Sequence, residues 1–297
     1  MEKLKNGWKE TLVLEVKSNL RKYHLQIMED RLKQYNQELI IFSDYISDNL
    51  KAELKKRNIF YCDTAGNAYI EGQHFYIFIE GRKIQHKPVK KNILTDASLI
   101  LIFALLNHPD LVNKTYREIA DEAGVSLDTI SKVMNRLKDQ GMIVQIDKKN
   151  KKLRNLKELL DMWLIGYGDQ LKPKLAYGMY RFLNKNTEDH WQKLPLHPEK
   201  TWWGGEPGAD LLTQYLKPEL YTMYTRERKP ELMKKCRLVP DPAGNIQVYK
   251  AFWKSTSHSQ PKVVSPLLVY ADLVLSAESR NRETAQKVYE QYLANIF

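Results

Sequence analysis

The sequence predicts an α+β protein in three parts, and three observations predict it. Strand-like and helix-like stretches alternate up to about residue 90, helical periodicity then surrounds a tight Gly124-Val125-Ser126 turn, and aromatic residues crowd together after Leu156. The parts span 1–90, 91–155 and 156–297.

In the first part, Glu2 to Ser18 and Tyr23 to Gln34 carry apolar residues at helical spacing, so two helices are expected there. Glu38 to Ser43, ELIIFS, reads as a strand, and Ser47 to Arg57 as a helix with Ser47 in the cap position. Ile59–Asp63, Ala68–Ile70 and Phe75–Glu80 run apolar or alternate. Gly66-Asn67 and Gly72 separate them, which predicts a small meander or hairpin in a compact α/β domain. His86 to Lys91, polar, basic and interrupted by Pro88, predicts a linker.

The second part opens with a helix capped by Thr95 or Asp96. Ile119, Ala120 and Ala123 then give one helical face, and Ile130, Val133, Met134 and Leu137 give the face of a second helix. Gly124 between them can take the left-handed angles that end a helix, and Ser126 or Asp128 can accept from the amides opening the next. After Gly141, Met142 to Ile146 and a lysine-rich turn predict a strand, a basic loop and a returning strand. The whole reads as a winged helix-turn-helix.

The outward positions of its second helix are Ser126, Thr129, Lys132, Asn135 and Arg136, side chains of the types that meet base edges and phosphates in a major groove. Lys132, Asn135 and Arg136 are the expected groove readers. Thr115 and Tyr116, with Lys148, Lys149, Lys151 and Lys152 of the wing, are the expected phosphate contacts. The competing reading is a purely structural helix-turn-helix with a solvated lysine run. Charge favours DNA: from Arg82 to Lys157 there are 16 Lys and Arg against 8 Asp and Glu, most of the formal +11 of the chain. Double-stranded DNA is therefore the expected partner, and a two-fold operator would call for a homodimer.

With 297 residues, 43% hydrophobic and 28% charged, the chain is long enough for two or three cores. Its longest apolar run, Leu99 to Leu106, is too short to span a bilayer, and the amino terminus lacks a signal-peptide core, so no membrane role and a cytoplasmic location are expected. Cys62 and Cys236, far apart and without ligand spacing, are expected as free buried thiols. Seven scattered histidines and the lack of a phosphate-binding glycine loop give no cofactor or metal to expect.

In the third part, Ala209 to Tyr215 reads as a helix ended by Pro218. Leu220–Thr225 and Ile246–Phe252 read as strands with a Gly244-Asn245 turn ahead of the latter, and Pro266–Leu275 and Arg282–Leu293 as closing helices. Here the chain resembles the AbiEi-type antitoxin regulators of type IV toxin-antitoxin systems. The blocks that carry the resemblance, in order, are YCDTAGNAYI, FYIFIEG, the winged helix, WWGGEPGADLLTQYLKP, GNIQVYKAFW and VSPLLVYADLVLSAESRNRETAQKVYEQYL. Familiar members open with a plainer helix-turn-helix and lack a preceding α/β domain. The resemblance implies a repressor of its own operon, bound at its own promoter, and an antitoxin-like carboxy-terminal domain opposing a nucleotidyltransferase-like toxin encoded by a neighbouring gene. The plainer reading of that domain is that Glu206, Asp272 and Arg280 cap or pair helices.

The first part also carries an alternative. Asp63 ends one strand and Glu80 another, with Arg82 two residues on and Glu53 on the helix before them, which resembles a weakened PD-(D/E)xK nuclease core of restriction-endonuclease type. Two such carboxylates could hold a divalent cation against a phosphate. Arg82 stands where that motif has lysine, and arginine cannot serve as a base. The chain is therefore expected not to be an enzyme. A Mg-dependent nuclease guided by the winged helix stays the alternative, and a nuclease-like fold without catalysis or an unrelated α/β domain remains open for the first part.

Overall fold

The computed structural model describes residues 12–20, 25, 38–72, 75–82, 94–147, 150–254, 261–276 and 278–297. The chain divides into two compact units, 1–92 and 93–297. The architecture is α+β, and among the described residues no helix is long and apolar enough to cross a membrane.

The first unit is a five-stranded sheet in the order β1 (Leu12–Asn19), β2 (Glu38–Tyr45), β3 (Phe60–Asp63), β4 (Ala68–Glu71) and β5 (Tyr76–Ile79). The first three strands run parallel and the last three form an antiparallel meander. Parallel neighbours need a crossover, and α1 (Asp48–Lys56) supplies the one between β2 and β3. Its Leu50 and Leu54 join Leu39, Ile41, Phe60 and Tyr61 in one core. Ser47 takes the extended cap backbone but makes no side-chain cap bond.

The helix expected over Glu2–Ser18 is a correction, because Leu12–Asn19 is a strand. Leu12 and Val16 lie four apart, as in a helix, while Leu12, Leu14 and Val16 lie two apart, as in a strand, and backbone pairing with β2 decides between the two periods. Of the helix expected over Tyr23–Gln34, only Leu25 is among the described residues, and the linker expected at His86–Lys91 lies outside them.

The second unit opens with α2 (Asp96–Asn107), whose cap Thr95 accepts from the Ser98 amide at 3.1 Å. A 3-10 turn at Pro109–Asn113 leads to α3 (Tyr116–Ala123), α4 (Leu127–Asp139) and the strand pair β6 (Ile143–Gln145) and β7 (Lys151–Leu153). Then α5 (Leu156–Gly166) continues through a π-helical turn, Tyr167–Leu171, into α6 (Lys172–Leu175).

A second five-stranded sheet completes the strands, ordered β11 (Leu238–Pro240), β8 (Ala176–Phe182), β12 (Ile246–Lys250), β10 (Tyr221–Thr225) and β9 (Thr201–Gly204). Only β10 and β12 run parallel. Between these strands lie α7 (Lys185–Asp189), α8 (Gly205–Thr213) and α9 (Lys229–Cys236), and α10 (Pro266–Val274) and α11 (Ser279–Val288) close the chain.

Three details differ from expectation. The helix read as Ala209–Tyr215 starts at Gly205 and stops at Thr213, where Gln214 turns left-handed at φ +53°, so the backbone ends it before Pro218 is reached. The strands flanking Gly244-Asn245 pair with β8 and not with each other. Strands β8 and β9 are additions to the expected elements, and for β9 the reason is that TWWG is buried at every position and gives no alternation.

The winged helix is packed into the rest of this unit. Trp163, fully buried on α5, donates its indole N–H to the Leu99 carbonyl of α2 at 3.0 Å and stacks on Phe103 at 5.4 Å and on Tyr167 at 4.8 Å. Phe252 and Trp253 also meet Phe103, at 4.9 and 6.3 Å. Gly166 brings α5 close to α2, since a Cβ there would fall 2.5 Å from a Leu99 methyl.

Replacing Trp163 with Ala should destabilise the protein by about 3–5 kcal/mol, read from the midpoint of urea unfolding at unchanged slope. Both cysteines are free. Cys236 is buried, which pushes its thiol up to about 12, whereas Cys62 is half-buried. A thiol reagent at neutral pH should therefore label Cys236 only at the rate of unfolding, and rapid labelling would contradict this packing.

Candidate nucleic-acid interface

The two helices of the turn motif are fixed by local bonds. Thr115 Oγ1 accepts from the Glu118 amide at 3.3 Å while Glu118 Oε2 accepts from the Thr115 amide at 2.7 Å, a reciprocal box at the start of α3. Gly124 sits at φ +70°, the left-handed conformation glycine tolerates, and ends α3. Ser126 caps α4 by accepting from the Thr129 amide at 3.3 Å, and its Oγ lies 3.0 Å from Thr129 Oγ1. Ile119 and Ala123 of α3 and Ile130, Val133, Met134 and Leu137 of α4 are buried, as the periodicity predicts.

The outward edge of α4 is narrower than the sequence suggests. Thr115, Ser126 and Thr129 spend their hydroxyls on capping. Lys132 and Asn135 are exposed, and the Lys132 ammonium pairs with Asp128 one turn earlier at 2.7 Å. Arg136 is half-buried, and burial lowers the pKa of its guanidinium. Tyr116, at the first position of α3, is half-buried.

The wing forms where the lysines predict it, with Gln145 opposite Lys151 and Ile143 opposite Leu153. Its tip is tied by Asp147, whose carboxylate accepts from the Asn150 amide at 2.8 Å and from Asn150 Nδ2 at 2.7 Å. The Lys151 amide donates to Asn113 Oδ1 at 2.7 Å and holds the wing against the turn after α2. Lys152 is exposed, Lys151 half-buried, and Lys148 and Lys149 lie outside the described residues.

The structure adds Lys254, which lies beyond β12 and against the turn motif. Its stem would sit 3.5 Å from a Cβ on Gly124, and its Nζ is 3.9 Å from Asp121. Sequence reading could not find it, because more than a hundred residues separate it from the helices it touches.

In the first unit the nuclease-type residues have other partners. Asp63, buried, accepts from the backbone and side-chain amides of Asn67 at 2.9 and 2.8 Å, with Lys51 Nζ 3.7 Å away. Glu80 accepts from Tyr61 Oη at 2.6 Å and Lys55 Nζ at 2.9 Å, bonds that lower its pKa. Glu53 turns to Arg57 at the end of its own helix, and Arg82 meets Asn67 through its backbone while its guanidinium lies over Gly66. Lysines of α1 thus face both candidate carboxylates where a cation would be needed. Among the described residues no three His, Cys, Asp or Glu side chains are grouped to hold a metal.

Residues 94–152 match the MarR family, and residues 152–294 match the family described as Transcriptional regulator, AbiEi antitoxin, Type IV TA system. No curated protein and no solved structure matches the chain. Both matched stretches fall in the second unit. That unit joins a stretch that matches the MarR family to one that matches the AbiEi antitoxin family of transcriptional regulators, the make-up of a DNA-binding regulator.

Proposed function

We propose that the chain represses its own operon by binding its promoter as a homodimer, with α4 in the major groove and the wing on the phosphates. The observation that carries this reading is the split of α4. One face is buried in the domain, and the opposite edge presents Lys132 and Asn135, in a domain whose wing bears Lys151 and Lys152. Asn135 suits bidentate contact with adenine and the lysines suit phosphates. Thr115, Ser126 and Thr129 serve by holding the helices in place.

The region 152–294 is proposed to oppose a nucleotidyltransferase-like toxin from a neighbouring gene. Its family description supports that role. Co-expression of the neighbouring gene with and without the chain tests it, and growth arrest relieved equally by an empty vector would reject it.

Promoter binding is tested by titrating the full chain onto its promoter fragment and a scrambled duplex across a salt series, with Mg2+ in half the samples. Preferential binding that weakens steeply with salt, and intact DNA throughout, are expected. Asn135→Ala should cost about 1–3 kcal/mol on the promoter and leave scrambled DNA unaffected. Lys152→Ala should weaken both duplexes alike and reduce the salt slope by about 1. Mg-dependent cutting abolished by Asp63→Ala would instead establish the nuclease alternative.

A further inference from the structure

A cavity of about 290 Å³ opens in the carboxy-terminal region, lined by Lys172, Thr222, Gln247, Asp272 and Asn281 among others. Its charges compensate one another. Lys172 Nζ lies 2.7 Å from Asp272 Oδ1, and Arg280 Nη2 lies 2.7 Å from Glu206 Oε2. Asp272 has little capacity left, because it also accepts from the Gly205 amide at 3.1 Å and from the hydroxyls of Tyr167 and Tyr224 at 3.1 and 2.9 Å.

Hydrogen-bonding capacity remains on four other groups. Lys172 has three ammonium donors and places one on Asp272. Gln247 Oε1 accepts from Tyr249 Oη at 3.0 Å, which leaves its amide N–H groups to donate. The Thr222 hydroxyl, on a buried residue, has no partner among the described residues. Asn281 is buried, and its Nδ2 donates to Glu206 Oε1 at 3.0 Å and Ser276 Oγ at 2.9 Å. A carboxylate only accepts, so this fixes the amide orientation and leaves Oδ1 buried with no partner among the described residues.

Two glycines make room for the arrangement. A Cβ on Gly205, at φ +47°, would fall 2.6 Å from Thr222 Oγ1, and one on Gly204 would fall 2.9 Å from Asp272 Oδ2. The π-helical turn at Tyr167–Leu171 brings Tyr167, behind the cavity wall, and Lys172, on it, to the same Asp272, and such turns are frequent at functional sites.

From this geometry we infer that the cavity binds a small uncharged polyhydroxylated ligand, a free sugar or the ribose of a nucleoside. An anion would face Asp272, Glu206 and the exposed Glu278 at the rim, and a cation would face Lys172. Adjacent hydroxyl groups both accept and donate. They match the donors of Lys172 and Gln247 and the Thr222 hydroxyl, which can donate or accept, in one molecule. The volume lies at the small end of ligand pockets, near about 300 Å³.

Ligand-observed saturation-transfer NMR on the full chain tests this without DNA, using ribose, glucose, adenosine, inorganic phosphate and spermidine as probes. Saturable binding of at least one of the first three is expected, weakened about tenfold in Gln247→Leu and in Thr222→Val at an unchanged thermal midpoint. Adenosine alone would identify a nucleoside, and ribose or glucose a sugar. Gln247 is only half-buried, so its variant remains interpretable should Thr222→Val fold poorly. No saturable binding of any uncharged probe, binding retained in Gln247→Leu, or equal binding of phosphate or spermidine would overturn the inference.

Discussion

The stacking of Trp163 with Phe103 and Tyr167 is the contact on which the second unit depends. Through it, the first helix of the DNA-binding motif is joined to the carboxy-terminal core by an indole N–H bond to Leu99 and two ring contacts. Tyr167 carries the connection inward, since its hydroxyl meets that of Tyr224 at 2.5 Å and both lie in hydrogen-bond contact with Asp272. A route of packed rings and hydrogen bonds therefore runs from α2 to α10. A helix-turn-helix hung on a linker would move independently, whereas this one shares its core with the carboxy-terminal region.

That core tolerates charge because each buried carboxylate is saturated. Burying an ionised group costs several kcal/mol unless partners replace its water. Asp272 has a lysine, two tyrosines and a backbone amide. Glu206 accepts from Arg280, from Asn281 and from the amides of Glu219 and Leu220 at 2.7 and 3.0 Å. Burial opposes the charge of Lys172, but the neighbouring Asp272 outweighs it and holds the ammonium pKa above the ordinary lysine value. Removing one member would leave the others uncompensated, so the network acts as a unit. The expectation that Glu206, Asp272 and Arg280 would pair or cap within the domain describes what they do, though their partners are far apart in sequence.

The winged helix was legible because its information is local. The Gly124 turn, the caps at Thr95, Thr115 and Ser126 and the buried face of α4 all depend on residues within a few positions of one another. The strand at Leu12–Asn19 reads as helix in the sequence because its apolar positions satisfy two periods, and only pairing with a distant strand chooses between them. Strand β9 escaped because every position is covered, which removes alternation. At the candidate interface, residue types suggested the chemistry, but local capping engages three hydroxyls of the outward set, and packing half-buries Arg136. Lys254 and the Asp272 network were invisible because tertiary contact alone assembles them.

If the winged helix and the carboxy-terminal core form one cooperative body, native-state hydrogen exchange provides the most direct test. Slowly exchanging amides of α2 and of β10 and β12 should open with the same free energy and the same dependence on denaturant. Exchange of the α2 amides through a separate opening of distinctly lower free energy would show that the Trp163 contact does not bind the two parts together, and would contradict the account.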